Sequence, residues 1–458
     1  MAEAEPTRSL PWPLILGMML AAALAPLGST MIAVALPAIG NELGTGDADL
    51  TQWLVASYLI AGIALQSPGG KLGDLLGHRR TLLAGLATYA LGSALGLALA
   101  QLGALVAARI LMAAGGAAIV PAAMALIRNH IAPERRARAF GFFGACMGLA
   151  AAIGPLLGGE LTELFGWRAT FAANLPVIGL SLALLLVFGR ALPSVAPASV
   201  RPRFDTLGSI LLGSGLTLAV VSLRVNSQHA LWLGLAGGAL LVIFPIWERR
   251  VQAPVIEFTL FKNRAFFAGS AIVALHNLAM YSLLFQLPIF FKQVRHVGAH
   301  EMGRALLALT LAMVAFSMLG GWLSERIGAR TQVLLGSLLA LSGLYLLRDP
   351  GLLLTPQDSV PGLLLMGAGQ GLSAAPSQAA AMAASRRDNS GMAAGVLSTM
   401  RYIGGVIGIA TLGFLLVDAA TIESHQAPAV FYATALTLSA GLALLLPGRP
   451  NKTENPVS

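Results

Sequence analysis

The sequence predicts an all-α polytopic membrane protein with about fourteen spanning helices. Of its 458 residues, 56% are hydrophobic and only 11% are charged, whereas roughly a quarter are charged in soluble domains. The apolar residues form runs such as 14–37, 82–102 and 231–247, which have the length that a helix needs to cross the hydrocarbon core. Strands of a membrane barrel would alternate over about ten residues instead. The spans are therefore predicted to be helices.

The basic charge of the chain is explained by its topology. A formal net charge of +9 would suit nucleic acid, but basic residues of membrane proteins collect in cytoplasmic loops. With the N-terminus inside, most of the 29 Lys and Arg residues fall on the cytoplasmic side, with clusters at 78–80, 135–138 and 249–264. We therefore expect a multi-pass protein of the cell membrane, of the bacterial inner membrane type, with both termini cytoplasmic and no nucleic-acid partner.

The apolar runs divide into three predicted regions. An N-terminal bundle of six helices covers 13–189, a linker with two accessory spanning helices covers 190–250, and a C-terminal bundle of six helices covers 266–446. The linker is the stretch ALPSVAPASVRPRFD at 191–205. It mixes Pro, Ser and Arg with little apolar periodicity, as a connection between helical bundles does.

Several function classes are excluded by missing motifs. The single Cys146 cannot build a disulfide framework or a thiol metal site. The chain contains no GxxxxGK[ST] phosphate loop, so ATP-driven transport within it is not expected. No paired carboxylates, metal cluster or nucleophile with its base lies in the predicted spans. We expect neither an enzyme nor a bound cofactor or metal.

A loop sequence occurs twice. GKLGDLLGHRR begins at Gly70, and GWLSERIGAR begins at Gly321, 251 positions later. A parallel repeat places the same cytoplasmic loop in both halves of a transporter. The glycines permit a tight turn, and a carboxylate can accept bonds from Arg or from a helix N-terminus. We interpret the loops as a conformational switch, the alternative being a solvated turn whose charges set topology. The switch residues are Gly70, Asp74, Gly77, Arg79, Arg80, Glu325, Gly328 and Arg330.

The first of these loops resembles the signature between helices two and three of the major facilitator superfamily. LGSTMIAVALP at 27–37 resembles the first-helix pattern of the drug-proton antiporter subfamily with fourteen helices, and Arg109 lies in a segment that resembles its fourth-helix motif. GLAAAIGPLLGG at 148–159 is similar to the fifth-helix antiporter motif. GWRATFAANLPVIG, FDTLG and PVIEFTLFKNR follow in the subfamily's order. The resemblance implies two six-helix bundles plus two extra helices.

The same resemblance implies efflux of hydrophobic or amphipathic small molecules across the lipid bilayer, coupled to protons. Four departures bear on it. Gly28 stands where an acidic residue is usual, and Ala33 where Asn is usual. Leu75 replaces a basic residue of the loop signature, and Met112 with Ala113 replaces a Gln-Gly pair. The absent first-helix acid removes one candidate for handling the proton.

Ionisable side chains within the spans are candidates for transport and proton relay, because charge in the bilayer core is costly. Arg109, His276 and Glu160 are the candidates. Each has a structural alternative. Arg109 could be a snorkelling arginine, His276 a hydrogen-bonded packing residue, and Glu160 part of the solvated rim. His276 is singled out because histidine titrates near neutral pH.

Two further groups are assigned from the pattern. The glycine-rich motif permits close helix packing and a bend at a gate. The alternative is that it serves packing alone. Its residues are Gly148, Gly154, Pro155, Gly158 and Gly159. Sparse polar and aromatic residues within the spans are candidates for lining a substrate cavity: Trp53, Tyr58, Gln66, Asn277, Tyr281, Gln286, Gln370 and Arg401.

Three functions remain open at this point. Proton-coupled export of hydrophobic or amphipathic compounds is the leading hypothesis. A metabolite or nutrient carrier is the alternative within transport. A non-transporting membrane sensor of the same fold is the alternative outside it, because Gly28 lacks a carboxylate.

Overall fold

The computed structural model describes residues 11–44, 51–189, 205–222, 229–252, 254–297, 299–416 and 421–448. Long helices dominate these residues. They are α1 Trp12–Leu43, α2 Ala56–Leu76, α3 His78–Ala98, α4 Leu102–His130, α5 Pro133–Phe165, α6 Asn174–Phe188, α7 Thr206–Ser222, α8 His229–Glu248, α9 Arg264–Gln293, α10 Ala299–Ile327, α11 Ala329–Leu347, α12 Val360–Ala384, α13 Ser390–Leu415 and α14 Ile422–Ala443. The predicted linker lies outside the described residues except for Asp205, as do both chain termini.

Short helical segments connect some of the long helices. A π-helical turn, Thr51–Val55, leads into α2, and the short helix Ala169–Ala172 precedes α6. Among the described residues, ten helices are long and apolar enough to cross a membrane. The prediction of an all-α multi-pass membrane protein is confirmed. The number of about fourteen spans stays a prediction.

The two repeat loops have the same backbone conformation. Gly77 ends α2 with a φ of 91°, and Gly328 ends α10 with a φ of 83°. A residue with a side chain rarely adopts this region, whereas glycine does so without strain. Each glycine thereby lets the next helix, α3 or α11, begin at the following residue.

The first of two compact units comprises residues 1–132, 146–258 and 385–399. Within it, α4 packs on α2 and α3, and α1 packs on α6 and α4. The accessory hairpin of α7 and α8 packs on α2 through α7. The base of the hairpin is tied by Trp247 Nε1, which donates to Asp205 at 3.0 Å. Glu248 accepts bonds from the backbone N–H groups of Val255 and Ile256.

The second compact unit comprises residues 133–145, 259–384 and 400–458. Within it, α12 packs on α10 and α11, and α9 packs on α14 and α12. These pairs correspond to the pairs of the first unit when α9 is matched to α1, α10 to α2, α11 to α3, α12 to α4 and α14 to α6. The internal repeat is therefore present in the packing as well as in the loops. The predicted domain boundaries at 13–189, 190–250 and 266–446 stay predictions.

Candidate switch and transport sites

The carboxylate of Asp74 binds the beginning of α13. Asp74 lies near the end of α2, and its side chain is only 4% exposed. Its two oxygens accept bonds from the backbone N–H groups of Gly391 and Met392, each at 2.7 Å. The first N–H groups of a helix have no partner within the helix and carry the positive end of its dipole. Asp74 therefore makes two charge-assisted bonds to α13.

Glycines allow α2 and α13 to approach this closely. A Cβ on Gly70 would overlap the carbonyl oxygen of Gly391, and a Cβ on Gly395 would lie 2.6 Å from the carbonyl oxygen of Gln66. Ser67 Oγ is 3.1 Å from Thr399 Oγ1 further along the same contact. Because backbone meets backbone here, a larger side chain at Gly70 would separate the two helices.

Residues of α3 and α4 hold the same end of α13. His78 Nε2 is 3.6 Å from the Asp74 carboxylate and 3.2 Å from Ser390 Oγ. Asn129 Nδ2 donates to Ser390 Oγ at 2.8 Å, and Arg128 donates to the carbonyl of Ser385. The beginning of α13 is thus bound by three helices of the first unit.

The second repeat loop uses an ion pair instead. Arg138 Nη2, near the beginning of α5, donates to Glu325 Oε2 at 2.6 Å. The side chains are 43% and 21% exposed, respectively. A Cβ on Gly321 would lie 2.6 Å from Arg138 Cα, and one on Gly141 would lie 2.5 Å from the carbonyl oxygen of Ser317. Close glycine packing is thus common to both loops, but the partner of the carboxylate differs.

The other basic residues of the two loops lie at helix ends. Arg330 Nε donates to the carbonyl of Leu446 at 3.1 Å. Arg79 Nε is buried and has no hydrogen-bond partner among the residues that the structure describes. It lies beside Gly189, where a Cβ would be 3.2 Å from it. Arg80 is exposed.

Arg109 is fully buried within the first unit, with 0% of its surface exposed. Its Nε donates to the carbonyl of Leu54 and its Nη1 to the carbonyl of Gly28, both at 3.1 Å. The guanidinium carbon lies 4.0 Å from the ring centroid of Tyr58, a distance at which a cation is attracted to the ring face. The structure thus brings Arg109 and Tyr58 together, with Gly28 beside them.

The space next to Gly28 is filled by neutral side chains. A Cβ on Gly28 would overlap the hydroxyl of Tyr89 and would lie 3.5 Å from Asn174 Oδ1. Tyr89 Oη donates to the carbonyl of Leu24 at 2.6 Å. No signal in the sequence singled out Tyr89, because aromatic residues within spans are common packing residues.

His276 belongs to a polar network in the second unit. It is 2% exposed, and its Nδ1 is 2.9 Å from Gln370 Oε1 while its Nε2 is 3.1 Å from Ser337 Oγ. Ser337 Oγ in turn lies 3.1 Å from Ser439 Oγ. In the tautomer whose Nδ1 carries the hydrogen, His276 donates to Gln370 Oε1. The network joins α9, α11, α12 and α14 and includes two of the predicted residues.

Two more cavity candidates bind backbone or neighbouring helices. Gln286 Nε2 donates to the carbonyl of His425 at 2.7 Å, and Tyr432 Oη donates to Gln286 Oε1 at 2.8 Å. Asn277 Nδ2 donates at 2.7 Å to the carbonyl of Val273 in its own helix. Gln286 therefore connects α9 to α14, whereas the amide N–H of Asn277 is used locally.

The remaining cavity candidates differ in exposure. Arg401 Nη2 donates to Gln378 Oε1 at 3.1 Å, and Arg401 is partly exposed. Tyr281 is also partly exposed. Gln66 is 2% exposed, whereas Trp53, in the π-helical turn, is 53% exposed.

The glycine motif of α5 contacts α1. A Cβ on Gly154 would overlap Thr30 Oγ1, and a Cβ on Gly158 would lie 2.7 Å from the carbonyl oxygen of Met31. A Cβ on Gly159 would make only ordinary contact, at 3.8 Å from the nearest atom. Among the other predicted residues of this segment, Gly148 is buried, whereas Pro155 and Glu160 are exposed.

Glu42, at the end of α1, binds Arg168 and Trp167, a contact that the sequence analysis did not predict. Arg168 donates through Nη1 and Nη2 to the two oxygens of Glu42, at 2.9 and 2.7 Å. Trp167 Nε1 donates to Glu42 Oε2 at 2.7 Å. The hydrogen bonds from Arg168 and then Trp167 hold the pKa of Glu42 below its ordinary value, and Glu42 raises the pKa of Arg168.

One missed contact had a detectable signal. The residues Asp388, Asn389 and Ser390 precede the apolar run of α13 and are typical of a helix N-terminus. A helix N-terminus readily binds an anion. The carboxylate that binds here belongs to Asp74, which is distant in sequence, so the pattern indicates the terminus but not its partner. Among the residues that the structure describes, no three His, Cys, Asp or Glu side chains come together as metal ligands.

The comparisons agree with this architecture. The pattern of the Major Facilitator Superfamily matches residues 18–409 and 269–458. The chain is 34% identical over 413 residues to the Uncharacterized MFS-type transporter YvkA of Bacillus subtilis (strain 168), covering 88% of this chain and 90% of YvkA. It is 34% identical over 424 residues to the Multidrug resistance protein Stp of Mycobacterium tuberculosis (strain CDC 1551 / Oshkosh), covering 88% of this chain and 76% of Stp.

The fold is similar to a solved structure as well. The crystal structure of the human organic anion transporter MFSD10 (TETRAN) superposes with a TM-score of 0.66 at 16% identity. The match covers 96% of this chain and 100% of that chain. At this identity the likeness concerns the fold alone.

Proposed function

Because the chain belongs to the Major Facilitator Superfamily and is a multi-pass membrane transporter rather than an enzyme, we propose that it exports hydrophobic or amphipathic small molecules in exchange for protons. The observation that carries this proposal is the pair of carboxylates at equivalent repeat positions. Asp74 binds the beginning of α13, and Glu325 binds the beginning of α5.

These two contacts suit a switch between conformations. Charge-assisted bonds are strong when formed, and a carboxylate near a helix end regains water when they break. We propose that α2 releases α13, and α10 releases α5, in one step of the transport cycle. The glycine contacts at Gly70 and Gly321 permit close approach in the other step.

The type of compound is supported by a relative that is named a multidrug resistance protein, and export is the direction of transport that would confer resistance. We extend that name to this chain as a proposal. We also propose that the protein resides in a bacterial inner membrane with both termini in the cytoplasm, as the distribution of basic residues predicts.

The coupled proton needs a titratable group, and we propose His276. When Nε2 is neutral it accepts from Ser337, and when it is protonated it donates to the same hydroxyl. Ser337 can then donate to Ser439, 3.1 Å away. Protonation therefore requires a rotation of hydroxyl groups and no separation of helices. Glu160 is the alternative carrier, at an exposed position.

Everted membrane vesicles test the function. Vesicles that contain the full chain should accumulate several chemically unrelated amphipathic dyes when a proton gradient is imposed, and a protonophore should abolish the accumulation. Accumulation of a single metabolite would favour a metabolite carrier. Absence of any flux by a folded, correctly inserted protein would favour a membrane sensor.

A further inference from the structure

Arg109 is a buried cation without a carboxylate partner. The ion pairs of arginine among the described residues join Arg138 to Glu325 and Arg168 to Glu42, and neither includes Arg109. Its Nη2 is buried and has no hydrogen-bond partner. A buried charge without a counter-charge is costly even when some of its N–H groups are hydrogen-bonded, and such a side chain inside a membrane protein is a candidate for function.

The groups around Arg109 are neutral. Carbonyl oxygens take one N–H of Nε and one of Nη1, and the ring of Tyr58 covers one face of the guanidinium. These contacts orient the side chain and leave Nη2 as the donor that protein atoms do not use. Across Gly28, Asn174 Oδ1 is a second buried atom without a hydrogen-bond partner. The site therefore offers both a donor with positive charge and a neutral acceptor.

Acidic residues are absent from the middle of the described helices. Every Asp and Glu that the long helices α1 to α14 contain lies near a helix end; they are Glu42, Asp74, Glu134, Glu160, Glu163, Glu248, Glu301, Glu325 and Glu423. A carboxylate that balances Arg109 is thus not supplied by the interior of the described first unit. The ligand itself can supply one.

We propose that Arg109 binds the anionic group of an organic substrate, such as a carboxylate, and that the exported compounds are amphipathic acids. Nη2 donates a charge-assisted bond to the anion, and Asn174 Oδ1 accepts from a hydroxyl or amine of the same molecule. The proposal rests on the export function and specifies its substrate class. The π-helical turn holds Arg109 through the carbonyl of Leu54, and its Trp53 is 53% exposed. Such turns occur frequently at functional sites.

Thermal unfolding of the purified full chain tests the site directly. Fluorescein serves as the organic anion, ethidium as the organic cation and sodium chloride as the inorganic anion. At saturating concentration, fluorescein should raise the midpoint of the wild type by about 3 °C or more. Arg109→Gln should lose this rise, Arg109→Lys should keep part of it, and Arg304→Gln, which removes an exposed charge, should keep all of it.

The folding of the variants is controlled within the same experiment. A ligand-free midpoint of Arg109→Gln far below that of the wild type would show that this variant folds poorly. In that case the readout is the dissociation constant of fluorescein, measured by fluorescence quenching with Arg109→Lys and with the wild type. A dissociation constant that increases about tenfold in Arg109→Lys supports the site, because charge is kept and the planar fork is lost. Equal dissociation constants overturn it.

Transport separates this inference from the export function. Vesicles with the wild type should accumulate fluorescein, and those with Arg109→Gln should not. Accumulation of ethidium without fluorescein binding overturns the anion assignment and leaves export in place. Fluorescein binding that depends on Arg109, without any flux, supports the site and overturns export. A midpoint that rises with chloride and not with fluorescein identifies an inorganic anion site and overturns the assignment to a substrate.

Discussion

The two halves of the molecule repeat the same helix pairs and loop glycines but place their charges differently. In the first half, Asp74 is 4% exposed and binds two backbone N–H groups, and Arg109 is fully buried. In the second half, Glu325 is 21% exposed and pairs with an arginine side chain, and the buried His276 lies within a network of neutral partners. Buried charge is concentrated in the first half. We therefore expect the first half to respond more strongly to the loss of a charge.

Removal of the buried arginine should have the largest effect. Arg109→Ala removes two bonds from a charged donor, each worth about 1.5–3 kcal/mol, so transport should fall by about a hundredfold or more. Arg109→Lys keeps the charge without the planar donor fork and should lose about tenfold. Flux into everted vesicles at matched protein amount measures both. Near wild-type flux in the two variants would show that the buried charge has no part in transport.

Removal of the charge that holds α13 should come next. Asp74→Asn keeps the shape of the side chain but loses charge-assisted bonding, so transport should fall about tenfold. Membrane insertion should be unchanged, because the carboxylate lies near a helix end rather than among apolar residues. The same vesicle assay measures the flux, and immunoblotting of the membranes measures insertion. A well-inserted variant with normal flux would contradict the switch.

The histidine network should affect coupling more than binding. His276→Gln should abolish accumulation against a gradient while dye binding stays within about threefold of the wild type, since a neutral amide can bond to Gln370 but cannot carry the proton. Transport is measured against pH for the wild type, His276→Gln and Glu160→Gln. If His276→Gln remains fully driven by protons, the histidine is a packing residue.

The exposed ion pair of the second half should matter less than Asp74. Glu325→Gln should reduce transport only two- to threefold, because exposed pairs contribute about 0.2–1 kcal/mol. Exchange of the two residues, Arg138→Glu with Glu325→Arg, should restore part of the loss. A loss as large as that of Asp74→Asn would mean that burial does not distinguish the two loops.

The exposed pair of Glu42 and Arg168 should give the smallest effect, visible only as a pH dependence of stability. Hydrogen bonds from Arg168 hold the pKa of Glu42 below its ordinary 4.5. The stabilisation is therefore present above pH 4.5 and is lost as the pH falls through the lower pKa of the folded state. The thermal midpoints of wild type and Glu42→Gln should differ slightly at neutral pH and converge in acid. A difference that persists in acid would assign the effect to packing.

Local patterns in the sequence predict most of the fold. Apolar runs long enough to span the bilayer predict the helices, since a backbone in lipid must bond to itself. The matching loops at Gly70 and Gly321 predict the repeat, and Gly77 and Gly328 adopt the same left-handed backbone in the structure. These features depend on residues within a few positions of one another, so the sequence alone suffices for them.

Partners across long separations required the tertiary structure. Asp74 and the helix N-terminus that it binds are 317 positions apart, and Glu325 and Arg138 are 187 apart. The repeat predicts a carboxylate in each loop that can accept bonds from Arg or from a helix N-terminus, but it cannot predict that one binds backbone and is buried while the other pairs with an exposed side chain. Burial and partner depend on which helices pack together. The same packing leaves Arg109 among carbonyls and aromatic rings, because charge compensation is a property of three-dimensional neighbours rather than of sequence position.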